Sequence, residues 1–147
     1  MSLAELHAAL NDFPVALLVA SVGFDLAASG PRRASLQSAA YWSLIAGAAA
    51  AILAVVTGLI AATRVESKPA LDQILQTHRA LGIALALLFA GLAAWRIWRK
   101  NTFSVPEQQS YIMAAVVGAL ILLWTAHLGG TMVFRQGAGV EARAEQR

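Results

Sequence analysis

The chain has 147 residues, 59% of them hydrophobic and 13% charged, with a net charge of +3 and no cysteine. A typical soluble domain carries about 25% charged residues, so long uncharged runs at this composition point to a membrane protein of one domain. The missing cysteines exclude disulfides, thiolate metal sites, iron–sulfur clusters and covalently attached c-type haem, and the basic residues are scattered over short loops, not gathered into a nucleic-acid-binding stripe.

Residues 1–12 read as a short interfacial helix. Ser2 and Glu5 fit a capping box, and Leu3, His7 and Leu10 share one helical face. The N-terminus lacks the basic region of a cleavable signal, so this segment is expected to stay. Asp12 and Pro14 fit the start of a new helix, with Asp12 as N-cap. A first span over 13–28 follows, carrying Asp25 and ending at Gly30-Pro31. The second span, 39–62, lies between Arg33 and Arg64 and has Gly47 and Gly58 three turns apart on one face. Ser67-Lys68-Pro69 opens a third helix running toward Arg99, with its span over 77–98. Gly82, Ala86, Ala90 and Ala94 form a small-residue ridge that admits close helix packing. A polar loop around Asn101 to Gln109 leads to a fourth span, 109–128. Gly129-Gly130 is expected to break that helix, leaving 129–147 as a Gly-rich segment and polar tail. No internal repeat is evident.

The fold expected is therefore all-α: an integral membrane four-helix bundle of four transmembrane helices, both termini on one side. The loops with Arg32, Arg33, Arg96, Arg99 and Lys100 are denser in positive charge than the side with Arg64, Lys68, Arg79 and Arg135. The former belong in the cytoplasm by the positive-inside rule, and the termini outside it. Tyr41, Trp42, Trp95, Trp98 and Tyr111 fall at the same cytoplasmic boundary, as an aromatic belt does.

The chemistry rests on three histidines, all placed near one membrane face by this topology. Counted from the cytoplasmic turn, His78 lies about as far back from Arg99 as His127 lies on from Glu107. At about 1.5 Å per residue the two sit at almost equal depth on neighbouring helices. Paired neutral imidazoles at one level suit the axial ligation of a b-type haem in a helical bundle. His7 is the substitute or neighbour, and Arg64, Arg79 and Arg135 are positioned to pair with haem propionates. A three-histidine Cu or Zn site is the alternative metal reading. Asp25, an ionisable group in a span, is read as paired with Arg32 or Arg33, with a proton path as its functional alternative.

The pattern of His7, Phe13-Pro14-Val15-Ala16-Leu17-Leu18, Asp25, Gly58, His78, then Leu128-Gly129-Gly130 with Val133-Phe134 and Gly137-Ala138-Gly139-Val140 resembles a bacterial family of predicted membrane proteins, domain of unknown function 2231. The resemblance covers nearly the whole chain. Here His7-Ala8 stands where the family has His-Pro, Asp12 where it often has histidine, and Phe134 where it commonly has tyrosine. Relatives joined to Rieske or cytochrome c domains imply, by association, a place near electron transfer.

The function expected is a cytochrome b-like electron-transfer subunit of the bacterial inner membrane, holding haem b between His78 and His127 near the periplasmic face. Its partners would be the lipid bilayer, a larger membrane redox complex or periplasmic redox protein, and a quinone. A cofactor-free accessory subunit is the alternative. No nucleophile is paired with a base, so no catalytic activity of its own is expected.

Overall fold

The computed structural model describes residues 3–28, 33–63 and 69–138. They form four helices: α1 (Leu3–Ala27), α2 (Ala34–Ala62), α3 (Pro69–Trp98) and α4 (Val105–Gln136). All four are long and apolar enough to cross a membrane, which takes about 20 residues. Among the described residues there is no strand.

Two expected breaks are absent. Residues 3–12 are the first turns of α1 and not a separate interfacial helix, because α1 runs unbroken past Asp12 with Pro14 inside it. Proline removes one intrahelical hydrogen bond, but Pro14 is buried among neighbouring helices, where packing offsets the loss and such prolines are tolerated. Likewise α4 passes through Gly129-Gly130 and ends at Gln136, capped by Gly137 in the left-handed conformation (φ 66°). Interrupting the helix at the glycine pair would strand backbone N–H and C=O groups in an apolar medium, a larger cost than glycine's weak helix propensity. The start of α4 is also earlier than Gln109. Glu107 Oε2 accepts hydrogen bonds from the Ser104 backbone (2.8 Å) and hydroxyl (2.6 Å), fixing the first turn. The Ser2 and Ser67 caps, Gly30-Pro31, Arg32, Arg64, Lys68 and residues 139–147 lie outside the described residues.

The helices pack in a ring. α1 lies against α2 and α4, and α3 completes the ring between α2 and α4, so α1 and α3 face each other across the diagonal. Side chains from α1 and α3 meet there, through the rings of His7 and His78 at one end and the ion pair of Asp25 and Arg96 at the other. Between them the fully buried Leu18, Leu44 and Phe89 seal the core.

An internal repeat is present after all. Its offset is the sequence separation of Asp25 and Arg96, 71 positions. Each buried position of α2 (Ala40, Leu44, Gly47, Ala48, Ala51, Ala54, Ala61) has a buried counterpart at that offset in α4 (Tyr111, Ala115, Gly118, Ala119, Leu122, Thr125, Met132). The buried Pro14, Leu18, Ser21 and Val22 of α1 map in the same way onto the buried Leu85, Phe89, Leu92 and Ala93 of α3. The end of α1 at Ala27 maps onto the end of α3 at Trp98, and the start of α2 at Ala34 onto the start of α4 at Val105. His7 and His78 keep that offset too. The chain is thus two helical hairpins related by an approximate two-fold axis along the helices, the parallel arrangement that a repeat of two spans produces.

Candidate histidine site on the two-fold axis

His7 on α1 is half-buried and lies against α2, where Gly58 leaves room for it. A Cβ built at Gly58 would stand 2.7 Å from His7 Cε1. Beside this glycine, Thr57 donates its hydroxyl hydrogen to its own helix, at Leu53 O (2.9 Å) or Ala54 O (3.1 Å). Its oxygen is left to accept from His7 Nδ1 at 3.3 Å.

His78 on α3 repeats this arrangement against α4. A Cβ at Gly129 would stand 3.3 Å from His78 Cε1, and His78 Nδ1 lies 3.0 Å from Thr125 O. Thr125 is the counterpart of Ala54 in the repeat, and Gly129 that of Gly58. A carbonyl oxygen only accepts, so Nδ1 of His78 carries the proton and Nε2 keeps its lone pair. The Thr57 hydroxyl, its hydrogen directed at a carbonyl, imposes the same tautomer on His7. Among the described residues neither Nε2 has a hydrogen-bond partner. The two rings stand 6.4 Å apart, centre to centre, with planes crossed at 82°.

Both rings line a cavity of about 170 Å³ to which all four helices contribute. Its walls are chiefly apolar and small: Ala51, Ala54, Gly82, Ala86, Leu122 and Ala126 among them. Two imidazoles, each with Nδ1 engaged and Nε2 without a hydrogen-bond partner, are the nitrogen donors that this cavity offers. The hydrogen bonds to Nδ1 supply the outer support that orients such ligands.

The expected pairing of His78 with His127 does not form. His127 is exposed and its ring lies beside Trp124, 5.6 Å centre to centre. The depth is right and the direction wrong: His127 is two positions from Thr125 and two from Gly129, about 200° round the helix from each at about 3.6 residues per turn. The His78 ring lies beside that of His7 instead. A three-histidine arrangement is absent accordingly, and among the described residues no group of three or more histidine or acidic side chains is placed to hold a metal ion. Of the arginines expected beside the site, Arg79 lines the cavity, Arg135 is exposed on the last turn of α4, and Arg64 lies outside the described residues. Thr57, Gly58, Thr125 and Gly129 form the seats for the imidazoles and were not singled out from sequence as site residues.

The other end of the axis is ionic. Asp25 and Arg96 stand at the same interval beyond their histidines, five full turns along α1 and α3 and so on the same helical face. Asp25 pairs with Arg96 at 2.7 Å, not with Arg33, whose guanidinium donates to Ala27 O. Arg96 is 4% exposed. It also donates to Tyr111 Oη (2.9 Å) and Asn101 Oδ1 (2.7 Å), and the Tyr111 hydroxyl donates to Asp25 Oδ2 at 3.1 Å. A polar cavity of about 250 Å³ opens beside this cluster, lined by Gln37 and its counterpart Gln108. A charge in a span must be paired, and here the partner comes from the opposite hairpin.

No curated protein and no solved structure matches the chain. A family described as "Predicted membrane protein (DUF2231)" matches residues 4–142, which takes in nearly all of the four helices, His7, His78, and the Asp25–Arg96 ion pair. The chain belongs to that family of predicted membrane proteins.

Proposed function

We propose that the protein is a membrane electron-transfer subunit that holds a b-type haem between His7 and His78. The observation that carries this reading is the imidazole pair on the two-fold axis. The two ring centres stand 6.4 Å apart beside one cavity, so His7 and His78 would be the residues to hold the iron. Both Nδ1 atoms are engaged as axial ligands require, and the cavity wall is apolar, as a macrocycle needs.

The residues fit the group in donor set, tautomer and surroundings. The cavity of about 170 Å³ is below the roughly 300–1,000 Å³ of ligand pockets. Seating the whole macrocycle therefore requires the hairpins to part along their Ala- and Gly-lined seams. His7 and His78 would be the axial ligands, and Arg79, at the cavity wall, the cation nearest to hand for a propionate. A bound haem would supply one-electron chemistry. The chain's own contribution is to hold two equivalent neutral ligands, to exclude water with the Leu18–Leu44–Phe89 seal, and to keep the ionic end five turns away.

The dense basic cluster of Arg33, Arg96, Arg99 and Lys100 supports an orientation with the ionic end at the cytoplasm and the histidine end at the periplasmic side of a bacterial inner membrane. Electrons would then pass to or from a quinone, a larger redox complex or a periplasmic redox protein.

The deciding measurement is a reduced-minus-oxidised visible spectrum of the detergent-purified protein produced with ample haem. Sharp Soret and α bands of the bis-histidine type are expected. A colourless protein sinks the reading and leaves a cofactor-free accessory subunit in its place.

A further inference from the structure

The polar bonds of the bundle are divided unevenly between its two ends. At the histidine end each bond stays within a hairpin: His7 on α1 donates to Thr57 on α2, and His78 on α3 donates to the Thr125 carbonyl on α4. Ser21 on α1 likewise donates to the Ala40 carbonyl of its own hairpin. At the ionic end the bonds cross from one hairpin to the other. Arg96 on α3 donates to Asp25 Oδ2 on α1 (2.7 Å) and to the Gln37 carbonyl on α2 (3.4 Å), and Tyr111 on α4 donates to the same Asp25 oxygen. Between described residues, these three are the side-chain hydrogen bonds that join the hairpins. Arg96 also donates to Tyr111 and to Asn101 in its own hairpin, so one buried guanidinium ties all four helices together.

The costs of parting the two ends differ accordingly. Drawing Arg96 from Asp25 strands two charges in an apolar medium. At the histidine end the cavity wall is made of small residues, Ala54 and Gly58 from the first hairpin and Gly82, Ala86, Ala126 and Gly129 from the second. Lipid tails are as apolar as these side chains, so separating them in a bilayer costs packing alone.

We propose that the ionic cluster is a pivot about which the two hairpins part at the histidine end, opening the cavity between His7 and His78 to apolar molecules from the bilayer. Pivot and histidines are five turns apart, a lever of about 27 Å at about 5.4 Å per turn, so a rotation of about 10° widens the histidine end by about 5 Å. Each imidazole keeps its Nδ1 bond in this motion, because it moves with the hairpin that holds it. The haem reading calls for such an opening; the opening itself follows from the division of bonds, whatever the cavity takes up.

The chain has no cysteine, so introduced cysteine pairs carry the only spin labels. Pulsed electron paramagnetic resonance then reads the distance between them in the full-length protein in lipid nanodiscs. Ala9 and Ala80 are exposed repeat counterparts next to the histidines, and Gly23 and Ala94 are exposed counterparts next to the ion pair. Gly23→Cys with Ala94→Cys is expected to give one narrow distance. Ala9→Cys with Ala80→Cys is expected to give a broad or double distribution, reaching about 5 Å beyond its shorter edge. Ala9→Cys with Ile60→Cys, both labels in the first hairpin, is expected to stay narrow, which separates parting of the hairpins from fraying of α1. Adding Asp25→Ala should broaden the Gly23–Ala94 distance as the pivot is lost. Equally narrow distances at both ends overturn the opening, and equal breadth at both ends overturns the pivot. Breadth in the Ala9–Ile60 pair that matches the Ala9–Ala80 pair overturns the hinged motion. A Gly23–Ala94 distance unmoved by Asp25→Ala overturns the role of the ion pair. No visible band enters these readings, so a colourless protein sinks the haem reading and leaves the pivot standing.

Discussion

The two ends of the axis use the same repeat in opposite ways. At one end the hairpins present identical residues, His7 and His78; five turns away they present opposite ones, Asp25 and Arg96. A ligand on a two-fold axis asks both halves for the same group. A buried ionic contact on that axis cannot be built from the same group twice, because two carboxylates or two guanidiniums in a low dielectric repel. Fusing two hairpins into one chain lets their sequences diverge where identity would be a fault and stay alike where it is needed.

The largest expected effect breaks the identical end. His7→Ala and His78→Ala should each abolish the low-spin haem spectrum, and to a similar degree, while His127→Ala should leave it unchanged. The measurement is the haem-to-protein ratio and Soret position of each purified variant. Retention of haem by His7→Ala with loss in His127→Ala would restore the pairing expected from depth alone.

Breaking the opposite end should cost stability and not the spectrum. Asp25→Ala leaves the buried Arg96 guanidinium without its counter-charge, a loss of about 3–5 kcal/mol for a buried pair, read as a lowered Tm in detergent. Arg96→Ala should fall in the same range, and the double variant should lose less than the two singles together, since neither charge is then left alone. Additive losses would mean that Asp25 and Arg96 act separately, with Tyr111 and Asn101 as the groups that matter.

Much of the fold was legible and the pairing was not. Four spans, the polar turn near Asn101 and the common level of the histidines follow from hydropathy and from counting rise along helices. Azimuth does not follow from that count: His78 and His127 match in depth, but Thr125 and Gly129 face inward and His127 faces out. The repeat was concealed because most of its counterparts differ in type, Ala40 standing for Tyr111 and Ala51 for Leu122. What is shared is burial, which composition does not reveal. One signal was available. Gly47 and Gly58 are spaced as Gly118 and Gly129 are. Pro14 and Gly129-Gly130 read as breaks because their rules come from water, where a freed backbone group finds another partner.

A smaller effect should separate glycines by what they face. Gly47→Ala places a Cβ 2.7 Å from the Leu18 Cδ2 atom, and Gly118→Ala places one 2.8 Å from the Leu88 Cδ2 atom and 3.1 Å from Phe89 Cζ. Each should cost about 1–3 kcal/mol, as overpacking of a filled core does. Gly23→Ala and Gly91→Ala, facing open space, should instead be neutral or stabilise by about 0.5–1 kcal/mol, since alanine favours the helix. Thermal unfolding of the four variants in one detergent decides it. Equal effects at Gly47 and Gly118 would sharpen the equivalence of the halves, because the two glycines occupy the same position in each.

The smallest effect lies at the one polar contact that the histidine seats do not share. Thr57 accepts from His7 at 3.3 Å, whereas its counterpart in the second hairpin is Leu128, which offers His78 nothing. A long neutral hydrogen bond contributes at most about 0.5–1.5 kcal/mol, and Gly58 still leaves room for the ring without it. Thr57→Leu should therefore retain haem and the low-spin spectrum while making the N-terminal seat chemically like the C-terminal one. Removing a hydrogen bond to Nδ1 lessens the electron density that His7 can donate, so the midpoint potential should rise slightly. Leu128→Thr, which offers the C-terminal seat an oxygen at the equivalent position, should lower it. Shifts of opposite sign in these two variants would show that a single hydroxyl distinguishes two otherwise equivalent ligands. A potential that moves in neither would make Thr57 a spectator, and the two seats equal in practice as well as in position.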